Sequence, residues 1–159
     1  MANSAKPNPL WYALVGALAG GRTTAAAVFT TAQLRRNPDP DRTGLARAMG
    51  SDGAATAIAV GVIIETIVDK LPGVGDRTAV VGVGARAVSG ALAGAALSSA
   101  DDRNPVLGAL LGSTGAIAAT FALFHLRDAV HRRLGVPNLL GGLGEDALLL
   151  GLGRLALRG

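Results

Sequence analysis

Five apolar stretches separated by polar connectors run along the chain. Each has close to the roughly 20 residues that a helix needs to cross a bilayer. Turn and cap signals mark their ends, because Pro72-Gly73 follows the second stretch and Asn104-Pro105 can cap the start of the fourth. The pattern predicts a single all-α transmembrane domain over 1–159. It would be a polytopic membrane helix bundle with about five transmembrane helices, at 10–34, 53–71, 79–100, 105–126 and 139–157.

The first stretch also contains the small-x-small motif Ala17-Leu18-Ala19, which is typical of a signal-peptide cleavage site. The apolar run continues well past this motif, so we expect an uncleaved helix. Residues 1–9, which precede it, are polar and contain two prolines, and we expect them to form a short tail.

Composition favours a membrane protein over a soluble domain. Hydrophobic residues make up 50% of the chain and charged residues only 16%, against about 25% in a typical soluble domain. There are 23 glycines and only 3% aromatic residues, so a water-soluble core would be poorly packed. The lack of cysteine excludes a disulfide scaffold, thiol catalysis and cysteine-ligated zinc. The net charge is +4, and the basic residues are scattered along the chain without interleaved aromatic residues. This pattern argues against nucleic acid as a partner.

Three of the apolar stretches carry a glycine pentad of closely similar sequence. Glycines spaced four apart lie on one helix face and let two helix backbones approach closely. Such close packing matters in lipid, because burial of apolar surface gives no net driving force for helix association there. The pentads therefore predict tight packing among the first, third and fourth helices, through Gly16 and Gly20, Gly90 and Gly94, and Gly108 and Gly112.

The pentads also indicate an internal repeat. Residues 16–35 align with residues 108–127 at an offset of 92, and the matches include Phe29 with Phe121 and Arg35 with Arg127. Two further spans would separate the first and fourth helices, so these helices would cross in opposite directions. Helices 1–2 and 4–5 would then form an inverted repeat, which is common in transporters.

Charged residues lie inside or beside the apolar stretches, where each costs roughly 2.5–3.5 kcal/mol on insertion scales. Arg22 follows Gly20-Gly21, a pair that can break the helix and expose backbone groups. Glu65 and Asp69 share one face of the second helix. A carboxylate without a full partner in low dielectric is driven towards its neutral form, so at least one is expected to titrate near neutral pH. The candidate cation or proton groups are Glu65, Asp69, Glu145 and Asp146, and the candidate counter-charges or anion contacts are Arg22, Lys70, Arg77 and Arg86.

These charges have two interpretations. In the first, the arginines neutralise the carboxylates and the pairs fix the register of the helices. In the second, the charges surround a polar cavity open to a cation or protons. Pairing is the simpler explanation for any single charged residue. The whole set favours a cavity, because one or two polar residues are enough to fix the register of packed helices.

The chain resembles an uncharacterised bacterial membrane family known as domain of unknown function 4126. The resemblance rests on motifs along nearly the whole chain, of which Glu65-Thr66-Ile67-Val68-Asp69-Lys70-Leu71-Pro72 is the most specific. The others are Gly20-Gly21-Arg22-Thr23-Thr24, Arg77-Thr78, Ala85-Arg86-Ala87-Val88-Ser89-Gly90, Gly108-Ala109-Leu110-Leu111-Gly112, Leu134-Gly135-Val136-Pro137 and Glu145-Asp146-Ala147-Leu148. Gly21 and Thr24 depart from the family pattern, which has larger apolar residues there. The resemblance implies a polytopic bacterial membrane protein and no particular activity.

We therefore expect a multi-pass protein of the bacterial inner membrane, embedded in the lipid bilayer and able to form homo-oligomers, with no cofactor. The leading hypothesis is passage of a small solute or ion through the charged site, without enzymatic activity. One alternative is a structural or assembly protein that packs against partners through its glycine faces. Another is an intramembrane enzyme that acts on lipid headgroups, with arginines holding the phosphate.

Overall fold

The computed structural model describes residues 8–68 and 80–134, and these form six α-helices without strands. They are α1 (Leu10–Gly21), α2 (Ala25–Arg36), α3 (Gly44–Met49), α4 (Asp52–Val68), α5 (Val80–Ala100) and α6 (Pro105–Leu134). The all-α prediction is thus confirmed for this part of the chain. The predicted fifth span, 139–157, lies outside the described residues.

The first predicted span is two helices rather than one. The backbone becomes extended at Arg22, with φ −131° and ψ 131°, and α2 begins at Ala25. The rings of Trp11 and Phe29 then meet edge to face with their centroids 5.8 Å apart. A continuous helix would separate these two residues by about 27 Å along its axis. The chain therefore turns back at Arg22, and α1 and α2 form a helical hairpin.

Two further boundaries differ from the sequence prediction. Short helix α3 lies inside the predicted connector 35–52 and starts at Gly44, whose positive φ of 57° suits glycine. Helix α6 continues to Leu134 instead of ending near 126, and an Asp128–Arg132 ion pair one turn apart supports this extension. Its start agrees with the prediction, because the side chain of Asn104 accepts the backbone N–H of Val106 at 2.9 Å and caps the helix.

Helices α1, α5 and α6 form the core of the described structure, and glycines lie at their contacts. Gly90 on α5 faces the carbonyl oxygen of Gly112 on α6, and Gly94 faces that of Gly108. Gly16 on α1 reaches the same Gly112 backbone from the other side. A Cβ atom at any of these positions would collide with backbone atoms, so the three helices approach at distances that only glycine permits.

Helices α1 and α6 run in the same direction. The hydroxyl of Tyr12 donates to Asp101 at 2.9 Å at one end of α1, and Thr23 contacts Ser89 at the other, so α1 is antiparallel to α5. The glycine contacts make α5 antiparallel to α6 in turn. The opposite orientation on which the inverted repeat depends is therefore wrong for α1 and α6. The first stretch turns back on itself, and this adds one reversal to the three predicted between the first and fourth helices.

Two described helices are long and apolar enough to cross a membrane, Val80–Ala100 and Pro105–Val130, and α1 is a shorter apolar helix. With 12 residues each, α1 and α2 extend about 18 Å, well short of the ~30 Å hydrocarbon core. The first predicted span therefore cannot be one straight crossing.

Candidate functional site

The tip of the α1–α2 hairpin, residues 22–24, packs against α4 and carries the most distinctive polar contacts of the described structure. The break leaves the backbone N–H groups of Thr23 and Thr24, just before α2, without an acceptor inside a helix. Glu65 on α4 accepts both of them. Its Oε1 accepts the N–H of Thr23 at 2.6 Å, and its Oε2 accepts the N–H and the hydroxyl of Thr24 at 3.1 and 2.5 Å. A carboxylate from a distant helix thus holds the turn that leads into α2.

This arrangement stabilises the negative charge of Glu65. Three donors converge on its two oxygens, and the N-terminus of a helix favours an anion. The sequence pattern predicts arginine partners for this carboxylate, whereas these three donors come from Thr23 and Thr24. Glu65 consequently holds the hairpin tip in place through hydrogen bonds and also places a negative charge there.

Helix α5 holds the same residue, Thr23, through its carbonyl group. The hydroxyl of Ser89 donates to the carbonyl oxygen of Thr23 at 2.5 Å. The Thr23 residue is therefore bound at its N–H by α4 and at its C=O by α5. Arg86 lies one helical turn before Ser89 and is buried, with only 8% of its surface exposed.

Arg22 extends the contact with α4. Its Nη1 atom is 3.5 Å from the hydroxyl of Thr66, the residue after Glu65, and that hydroxyl donates to the carbonyl oxygen of Val62 at 2.7 Å. Arg22 and Glu65 are thus both placed at the hairpin tip, and Arg86 lies on the adjoining part of α5. We refer to these three residues as the tip cluster.

The other predicted charges, Asp69, Lys70, Arg77, Glu145 and Asp146, lie outside the described residues. Within the described ranges, no group of three or more His, Cys, Asp or Glu side chains could hold a metal ion. Thr23, Thr24 and Ser89 belong to this site but are not among the residues predicted to form it. The two threonines follow the Gly-Gly pair that marks the break, but nothing in the local sequence around Ser89 signals its contact with Thr23.

A second polar region lies at the opposite end of the hairpin. A cleft of about 520 Å³ is lined by residues of α2, α3 and the start of α4. Three of its charged residues have structural contacts. Arg35 pairs with Asp52 at 2.6 Å, and Arg42 donates to the carbonyl oxygens of Leu34 and Asn37 at the end of α2. We assign this cleft a structural role.

No protein-family model, no curated protein and no solved structure matches the chain. The resemblance to domain of unknown function 4126 therefore stays a prediction.

Proposed function

We propose that the chain is a multi-pass protein of the bacterial inner membrane that passes a small ion or solute, with the tip cluster as the polar part of the route. The observation that carries this proposal is the break at residues 22–24, closed by Glu65 from another helix. Within a membrane, non-helical backbone is tolerated only where protein buries it or where it lines a water-filled cavity. Broken helices of this kind occur at the binding sites of transporters.

The surface of the two long helices supports the membrane location. Only 33% of the apolar part of α5 and 22% of that of α6 are buried within the structure. The core helix of a soluble protein is mostly buried, so these faces need another apolar environment. The exposed residues are large and apolar, among them Val88, Leu92, Leu110, Ile117 and Phe121. Acyl chains of a bilayer would cover them.

Within this proposal Glu65 is the cation or proton group, and Arg22 and Arg86 balance its charge. Asp69, Glu145 and Asp146 are further candidates for the route, with Lys70 and Arg77 as counter-charges. An ion that approaches Glu65 has to compete with the three hydrogen bonds from Thr23 and Thr24, which makes passage selective for species that interact strongly with a carboxylate.

The arrangement of the glycines favours passage over the assembly hypothesis. A scaffold that binds partners through glycine faces needs those faces on its outside. Gly16, Gly90, Gly94, Gly108 and Gly112 instead face one another within the same chain.

Flux through reconstituted protein tests the proposal. Purified chain in liposomes is screened for pH-dependent uptake of monovalent and divalent cations. Glu65→Gln keeps the size of the side chain but removes its charge and one of its two acceptor oxygens. We expect flux to be lost while circular dichroism and gel filtration show that the protein still folds. Asp52→Asn is the matched control, because it makes the same chemical change on α4 at a side chain that is 94% exposed. Parent protein without flux for any ion, or a Glu65→Gln variant that behaves like the parent, contradicts the proposal.

A further inference from the structure

The ends of the α1–α2 hairpin lie at the same face of the helix bundle. The start of α1 meets the end of α5 through Tyr12 and Asp101, and Trp11 contacts Phe29 of the returning helix. The end of α2 then meets the start of α4 through Arg35 and Asp52. We call this end of the bundle, with connector 37–51 and turn 101–104, the connector face.

The depth of the tip cluster below the connector face follows from three helices independently. Arg22 comes at the end of α1, Glu65 comes 13 residues after Asp52 in α4, and Arg86 comes 14 residues before Ala100 in α5. At ~1.5 Å per residue, each lies about 18–21 Å from the connector face. A hydrocarbon core is about 30 Å thick, so the cluster lies roughly 10 Å from the other boundary.

We propose that α1 and α2 form a re-entrant hairpin, so that the start of α1 and connector 37–51 share one side of the membrane and the tip cluster is reached from the other. The inference rests on the proposed membrane location and adds the side from which the proposed route is entered. The hydrogen bonds of the tip to Glu65 on α4 and to Ser89 on α5 provide the partners that re-entrant backbone requires in lipid.

The face that α2 turns inward fits this topology. Its buried residues are Ala26, Phe29, Thr30, Thr31 and Leu34, so the returning helix packs on protein. Thr31 also donates to the carbonyl oxygen of Met49 at 2.9 Å, which ties α2 to α3 at the connector face. At the opposite end of the bundle, Val80 and Val81 are 89% and 84% exposed, so the described helices leave the start of α5 uncovered.

Single-cysteine labelling tests the topology, and the natural chain contains no cysteine that would interfere. Asn8→Cys and Ala48→Cys mark the connector face, and Val80→Cys marks the other end; all three positions are exposed. A membrane-impermeant maleimide is applied to right-side-out and to inside-out vesicles. Asn8→Cys and Ala48→Cys should react in the same vesicle type, and Val80→Cys in the other. Leu110→Cys, at an exposed apolar position in α6, is the control that should react in neither.

The entry side is tested at Ser89, where Ser89→Cys places a thiol beside the tip with little change in shape. A small charged methanethiosulfonate reagent should modify it from the Val80 side. Modification from the connector side only, or from neither side, overturns the proposed entry. Labelling of Asn8→Cys and Ala48→Cys from opposite sides overturns the hairpin, because it requires a helix that crosses between them.

These outcomes separate the topology from the proposed function. A chain that alkaline washing removes from membranes contradicts both. If the cysteines react from the expected sides but the protein shows no ion flux, only the passage proposal is contradicted. If the protein shows flux but Asn8 and Ala48 lie on opposite sides of the membrane, only the re-entrant hairpin is contradicted.

Discussion

Glu65 accepts the backbone N–H of Thr23 at 2.6 Å across a separation of 42 residues, and so joins α4 to the point where the first apolar stretch turns back. The same carboxylate accepts two donors of Thr24. One side chain thus holds the turn before α2, fixes a reversal of the chain and places a negative charge about two thirds of the way along the bundle.

Glu65→Leu is expected to destabilise the protein by at least about 2 kcal/mol, because two backbone donors and a hydroxyl lose their acceptor and each unsatisfied buried group costs about 1–3 kcal/mol. The free energy of unfolding is measured in mixed detergent micelles by titration with a denaturing detergent. Ile64→Leu, at the neighbouring and 55% exposed position, is the control and should change stability by less than about 0.5 kcal/mol. Equal stability of Glu65→Leu and the parent would show that the carboxylate does not hold the tip.

Gly112→Leu is expected to disrupt the core, because Gly112 touches the backbones of both α1 and α5. Overpacking at such a position costs about 1–3 kcal/mol or more. Gly84→Ala provides the control on α5, since nothing lies within 4 Å of the position its Cβ would take. That change should be neutral or stabilise the helix by up to about 1 kcal/mol. A detergent melt in which Gly112→Leu matches the parent would contradict the close packing of the three helices.

The sequence predicted the features that depend on local pattern. Asn104 and Pro105 are adjacent in the chain, so the start of α6 could be predicted from them. The spacing of glycines in the pentads likewise predicted which helices approach closely. The Gly20-Gly21 pair indicated a weak point in the first apolar stretch, because glycine disfavours the helix.

The features that the sequence did not reveal depend on distant contacts. Gly20-Gly21 permits a break, but the direction of the chain after it is set by Trp11 against Phe29 and by Glu65 at the start of α2. Hydrophobic periodicity carries no information about such distant pairs. The first stretch therefore looked like one continuous helix, and the predicted direction of α1 relative to α6 was wrong. The extension of α6 was missed because the cluster of charges after 126 is typical of a connector, although Asp128 and Arg132 have helical spacing.

Ser89→Ala is expected to cost about 1 kcal/mol by removing the hydrogen bond to the Thr23 carbonyl. Glu65 holds the N–H of that same residue, so the two substitutions should not add. In a double-mutant cycle of Ser89→Ala with Glu65→Gln, we expect a coupling energy of at least about 0.5 kcal/mol, as is typical of residues that share a partner. Tyr12→Phe provides the control cycle with Ser89→Ala. It removes the hydrogen bond to Asp101 at the far end of α1, about 16 Å along the helix from the tip, and distant sites add within about 0.3–0.5 kcal/mol. Additivity of the Ser89 and Glu65 variants would mean that α4 and α5 fix the hairpin tip independently.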